Sequence, residues 1–141
     1  MIDIATETTP DLEAAFARLI PQLSHSAVAL DADGIATLVA QDAIDLLVFR
    51  DDDGAVQGML TLVTFDIPTG TRSWIEDVVV DNAARGHGIG RQLVTAAIGR
   101  AADRGAKTVD LTSRPSREAA NRLYQRCGFH LRETNVYRYT L

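Results

Sequence analysis

Residues 76–91 read EDVVVDNAARGHGIGR: two acids, a β-branched run, then Gly86, Gly88 and Gly90 at alternate positions, bracketed by Arg85 and Arg91. The β-branched run predicts a buried strand ending at Val80. Leu93, Val94, Ala97, Ile98 and Ala101 follow at helical spacing, so the glycines form a tight loop that opens a helix near Gly90. Such a loop gathers unpaired backbone N–H groups at the positive end of a helix dipole. An anion suits that position, most simply a phosphate, because a Cβ would hold its oxygens away from the amides. The plainer reading is a glycine-rich connection that lets the helix pack closely on the sheet. Arg85 ahead of the glycines and an amphipathic helix behind them favour the phosphate.

The chain as a whole sets limits on that ligand. With 141 residues, 46% hydrophobic and 23% charged, it has the composition of one ordinary soluble domain, residues 1–141. Fourteen Lys+Arg against nineteen Asp+Glu give a formal charge of −5. That balance argues against a nucleic-acid or anionic-membrane surface, so an anionic ligand must be met by a local positive site. No basic segment leads into an apolar run and no stretch approaches ~18 apolar residues; a cytoplasmic protein is expected. A single cysteine, Cys127, forms no internal disulfide, and His25, His87 and His130 have no ligand spacing, so no metal site is expected.

Around the glycine loop the remaining elements fall into order. Residues 2–7 predict a strand, and Thr9-Pro10 opens a helix whose apolar face is Leu12, Ala15, Phe16 and Leu19. Residues 22–33 lack a period and predict a loop, with a short helix over 35–41. IDLLVFR, DDDGA and VQGMLTLVTF predict a hairpin, and SWIEDVVV the third strand of a meander. KTVDLT predicts a strand parallel to it after a right-handed crossover. A helix over 116–127 ends at Gly128, and FHLRE and VYRYT predict a closing hairpin.

Two familiar phosphate motifs fail on this loop. Counting from Gly86, the third glycine of G-x-G-x-x-G falls on Arg91, and no Gly-Lys-Ser/Thr follows for a P-loop. The pattern R/Q-x-x-G-x-G/A does fit, as Arg85-x-x-Gly88-x-Gly90. With IEDVVVD before it and LYQRCGF after it, the chain resembles the GNAT acetyltransferases from about Val56 onward. The resemblance implies an α/β fold: a mixed, mostly antiparallel sheet with helices on both faces and two parallel central strands that splay apart. It implies acetyl-CoA as cofactor, with its pyrophosphate on Arg85, Gly86, His87, Gly88, Ile89, Gly90 and Arg91. The pantetheine arm would lie beside Val78, Val79 and Val80. A homodimer is the family's habit.

Acetyl transfer to an amine needs a neutral amine, donors for the developing oxyanion and a proton for the leaving thiolate. Strand alternation puts Trp74, Glu76, Val78 and Val80 on one face and Ile75, Asp77 and Val79 on the other unless a bulge intervenes. Resemblance to the glucosamine-phosphate acetyltransferase branch favours Glu76 as base or amine binder, a small-molecule primary amine being the expected partner. The plainer role for Glu76 is an acid at a sheet rim. A backbone N–H near Val78 or Val79 is the oxyanion candidate. Tyr124 matches the family's Leu-Tyr-x-x-x-Gly-Phe ending and is the candidate proton donor to the thiolate, against a packing role between helix and sheet. The family's common Asn seven residues before the tyrosine is here Arg117, and Asn121 is the candidate replacement cofactor contact. Arg114 and Arg117 read first as solvated surface arginines. A non-catalytic acyl-CoA sensor and a peptide acetyltransferase are the rival functions.

Overall fold

The computed structural model describes residues 1–141. Its sheet runs β1 (Ile2–Ala5), β2 (Ile44–Arg50), β3 (Val56–Ile67), β4 (Gly70–Val80) and β5 (Val109–Asp110), side by side in chain order. The first four strands are antiparallel and β5 lies parallel to β4. Sequential hairpins explain the antiparallel part. The β2–β3 turn is held by Asp51, whose Oδ1 accepts from the amides of Asp53 at 3.0 Å and Ala55 at 2.9 Å.

Four helices cover the sheet: α1 (Pro10–Leu23), α2 (Ala32–Val39), α3 (Ile89–Asp103) and α4 (Glu118–Arg126). Thr9 caps α1, its Oγ1 accepting from the Leu12 amide at 3.1 Å with Pro10 at the first helical position. Asp31 caps α2 through the Gly34 amide, so this helix begins three residues before the predicted 35. No helix is long and apolar enough to cross a membrane.

Alternation along the strands divides the core into two layers. Leu46, Val48, Val56, Met59 and Val79 meet Leu12, Ala15, Phe16 and Leu19 of α1 and Ile35 of α2. On the opposite face Leu47, Leu60, Leu62 and Ile75 meet Leu93, Val94, Ala97 and Ala101 of α3 and Tyr124 of α4. One charge is buried in this second layer. Asp45 accepts from Arg100 at 3.0 and 3.2 Å and from Arg104 at 3.1 Å, which binds α3 to β2. Both arginines reach solvent, so Asp45→Ala is expected to cost about 2 kcal/mol, the range for hydrogen bonds to a charged group. Urea unfolding checks it, and a loss under about 0.5 kcal/mol would remove the clamp.

Strict alternation fails in β4. Thr61 pairs with Glu76 and Met59 with Val79, so three steps on β4 oppose two on β3. The extra residue is accommodated at Asp77, which adopts φ 51°, a left-handed conformation that Asp tolerates better than most residues. Ile75 therefore packs toward α3 while Val79 packs toward α1. The expected common face for Ile75 and Val79 is corrected by this bulge.

Two further expectations are corrected. The KTVDLT strand pairs only at Val109 and Asp110, because the chain leaves β4 immediately afterwards. The closing hairpin is absent: residues 130–141 form no strand, turn or backbone hydrogen bond.

Candidate active site

The site forms where β4 and β5 part. They are joined at Ser73 with Val109 and Trp74 with Asp110, and beyond Trp74 the β5-facing edge of β4 has no strand partner. The bulge lies directly after this fork, so Glu76, Asp77 and Val78 turn into the opening. A pocket of about 140 Å³ there is lined by Glu76, Asp77, Val78, Leu111, Arg117 and Tyr124, among others. Glu76 and Tyr124, far apart in sequence, thus share one small pocket. A larger groove of about 1770 Å³ continues from it past Val79 and Val80 to Arg85, Gly86, Gly88, Ile89, Gly90 and Arg91.

Glu76 stands exposed at the pocket, and its Oε1 accepts from the Trp74 indole Nε1 at 2.7 Å. The two residues share a strand face, so the indole fixes one carboxylate oxygen and leaves the other for a ligand. Tyr124 is buried on α4, edge-on to Phe129 with ring centroids 5.9 Å apart. Its hydroxyl makes no hydrogen bond to another protein group. Burial pushes the phenol above its usual value of 10.0, and the nearby Arg117 charge opposes that rise.

At the other end, Gly88 caps α3 in the left-handed region with φ 75°, and Gly86 has φ 85°. A Cβ at either position would meet nothing within 4 Å. The space that these glycines leave open is the groove itself. Across the loop and first helical turn, the amides of Gly86, Gly88, Ile89, Gly90 and Arg91 donate to no protein acceptor. Gly90 differs, because its Cβ would come within 3.2 Å of Leu123 Cδ2. The plainer glycine role, close helix packing, therefore applies to Gly90, while Gly86 and Gly88 carry the cradle.

A long-range contact, invisible to local sequence patterns, anchors the loop. Asp81 caps the short 3-10 turn Asn82–Ala84 by accepting from the Ala83 amide at 3.0 Å, and it accepts from Arg18 Nε at 2.9 Å. Chiefly the Ala83 hydrogen bond, then Arg18, holds the Asp81 carboxyl below its ordinary value against the opposing effect of burial. A depressed folded-state pKa adds stability that is present above the unfolded value near 3.8 and lost as pH falls through the folded one. Asp81→Asn keeps a capping oxygen but loses the charge that Arg18 meets, and is expected to lower stability by about 1 kcal/mol at neutral pH. It should also flatten the acid limb of the stability profile below about pH 4. Identical acid limbs in thermal melts would contradict this.

Two expected cofactor contacts point elsewhere. The His87 ring turns back to the Ala84 carbonyl, Nδ1 to O 3.1 Å, and lies off the groove wall. Asn121 spends its Nδ2 on the Arg114 carbonyl at 3.0 Å, tying α4 to the segment before it. Sequence reasoning missed Leu23 and residues 24–27, which line the groove from the α1–α2 connection. Arg117 is exposed, as expected, and it also lines the pocket beside Tyr124.

A sequence profile of the Acetyltransferase (GNAT) family matches residues 10–129. A curated relative, mycothiol acetyltransferase of Propionibacterium freudenreichii subsp. shermanii, is 31% identical over 111 residues, which span 77% of this chain and 36% of that protein. The chain thus spans about a third of that relative's length. Among solved structures, a putative acetyltransferase from Agrobacterium tumefaciens str. C58 superposes with TM-score 0.87 at 24% identity, covering 99% of each chain. An aminoglycoside acetyltransferase from an uncultured soil metagenomic sample gives 0.84 at 18% identity, covering 100% of this chain and 95% of the other. These structures share the fold. The chain belongs to the GNAT acetyltransferase family, whose enzymes use acetyl-CoA as co-substrate.

Proposed function

We propose that this protein is an acetyl-CoA-dependent N-acetyltransferase that passes the acetyl group directly to a primary amine of a small molecule, an amine or amino sugar. The observation that carries the reading is the joining of Glu76 and Tyr124 in one pocket at the fork of β4 and β5. That pocket continues into a groove ending on free loop amides. These residues fit acetyl-CoA: amides 86–91 with Arg85 and Arg91 would hold the pyrophosphate, and the open edge of β4 would take the pantetheine arm. Acetyl-CoA supplies an activated acyl thioester. In the transfer a C–N bond forms and the C–S bond breaks. Glu76, directly or through water, accepts the proton that the amine loses, a backbone N–H near Val78 or Val79 meets the developing oxyanion, and Tyr124 donates a hydrogen bond to the leaving thiolate.

The small-molecule acceptor is supported by the modest pocket volume and by relatives named for mycothiol and aminoglycoside acetylation. The reading includes a homodimer. Free-thiol release from acetyl-CoA, followed across amines, amino sugars and peptides, tests it. Turnover confined to small primary amines is expected; turnover of peptides alone would transfer the protein to the peptide-modifying class. Tight acetyl-CoA binding with no turnover would make it a sensor.

Glu76→Gln keeps the shape and the indole contact but removes the base. On one good acceptor its rate should fall between about tenfold and a hundredfold, with an altered pH profile and unchanged acetyl-CoA affinity. A rate and profile matching wild type would move the role to Asp77 or an ordered water.

A further inference from the structure

In a chain whose formal charge is −5, the groove is strongly cationic. Arg85, Arg91, Arg114, Arg117, Arg126 and Arg138 line it, against Glu76 and Asp77 as its only carboxylates. None of these six guanidinium groups is in an ion pair. Elsewhere Arg18, Arg50, Arg100 and Arg104 each meet an aspartate. Acids outnumber bases in the chain, so unpaired cations gathered in one groove call for an anionic occupant.

The cofactor accounts for two of these charges. Arg85 and Arg91 flank the loop amides where the pyrophosphate of acetyl-CoA belongs. Arg117 stands elsewhere. It lines the small pocket of about 140 Å³ together with Glu76, Asp77 and Tyr124, and neither Arg85 nor Arg91 reaches that pocket. At the Tyr124 phenol its charge opposes the rise that burial causes. The part of acetyl-CoA that meets this pocket is the uncharged thioester, so no cofactor phosphate neutralises Arg117.

A plain amine suits such a pocket badly. Protonated at neutral pH, it is drawn to Glu76 and Asp77 and repelled by Arg117, whose charge no protein group cancels. A molecule carrying both charges satisfies the two sides at once, with its ammonium toward the carboxylates and its anion on the guanidinium. The planar fork of arginine donors matches the oxygens of a carboxylate or a phosphate. We propose that the acceptor is a primary amine that also carries an anionic oxygen group, and that Arg117 receives that group while Glu76 faces the amine. Arg114 lines the groove beside it, the Arg117 amide donating to the Arg114 carbonyl at 3.0 Å. The inference rests on the acetyl-transfer reading for the amine's fate, whereas the contact between the anion and Arg117 is independent of turnover.

Matched acceptor pairs test it: glucosamine 6-phosphate with glucosamine for a phosphate, and alanine with alaninamide for a carboxylate. Thiol release is followed with wild type, Arg117→Gln and Arg117→Lys. The Arg117 side chain makes no hydrogen bond or ion pair to protein, so both variants should fold. The anion preference is kcat/KM of the charged member over that of its neutral partner. Arg117→Gln should lower it more than about tenfold in at least one arm, chiefly through KM. Arg117→Lys should keep part of it, since the charge remains without the fork. Comparing each variant's ratio with that of wild type cancels differences in amine ionisation within a pair. A fall confined to one arm names the anion as phosphate or carboxylate.

Should no amine turn over, the acetyl-transfer reading fails and binding still decides the inference. The indole N–H signal of Trp74, the chain's single tryptophan and the partner of Glu76, then reports the affinity of each member for 15N-labelled protein saturated with coenzyme A. The same loss of preference is expected. Ratios unchanged in both arms, or a loss of acetyl-CoA affinity in place of that change, would overturn the inference.

Discussion

Gly88→Val is expected to weaken acetyl-CoA binding by more than tenfold, about 1.4 kcal/mol, with the fold retained. The Cβ of a residue at 88 projects into the open groove with no protein atom within 4 Å, so a valine there meets the ligand rather than the core. Its branched side chain would cover the amides of Gly88, Ile89 and Gly90, which have no protein acceptor. The substitution also strains the backbone, because φ 75° costs an L-residue roughly 1–2 kcal/mol. Gly105→Val separates the two effects. Gly105 has φ +80° and an equally open Cβ direction, but it follows the far end of α3. Both variants should lose melting temperature, and only Gly88→Val should lose affinity in calorimetry. Equal affinity in the two would remove the cradle.

Tyr124→Phe is expected to lower turnover about a hundredfold with little change in acetyl-CoA affinity. The ring packs in the layer with α3 and against Phe129, and phenylalanine preserves that packing. Only the hydroxyl is lost, and it has no protein partner to leave unsatisfied. An ordinary phenol near 10 and a thiol near 8.5 are close enough to serve as donor and acceptor. Burial of Tyr124 raises the phenol further, which disfavours complete proton transfer and keeps the hydroxyl protonated at neutral pH. Its contribution is then a hydrogen bond to the developing thiolate. Loss of melting temperature and binding in proportion to loss of rate would instead assign Tyr124 to packing.

Much of this arrangement was legible in residues 76–91 because glycine spacing, strand run and helix face all constrain one short local unit. The same holds for the α1 face and for the Asp-Gly hairpin, where each signal lies within a few residues of its consequence. What escaped was long-range. The bulge at Asp77 exists only in register with Leu60 on the next strand, and no local pattern in IEDVVV announces it. The Arg18–Asp81 pair spans 63 positions and depends on α1 crossing the sheet beside the loop. Asn121 sits three residues before Tyr124, as expected for a shared helical face, but the Arg114 carbonyl claims its amide. The segment 130–141 has β-branched and aromatic residues suited to a strand, yet it pairs with nothing in the structure.

The central claim, direct acetyl transfer to a small primary amine, is tested most directly in a single turnover with acetyl-labelled acetyl-CoA, enzyme in excess and the best amine of the panel. The label should pass to the amine in step with thiol release, and quenched protein should carry none at any time point. Label accumulating on the protein, with Cys127 the single thiol in the chain, would contradict direct transfer. Thiol release without labelled amine would contradict transfer altogether.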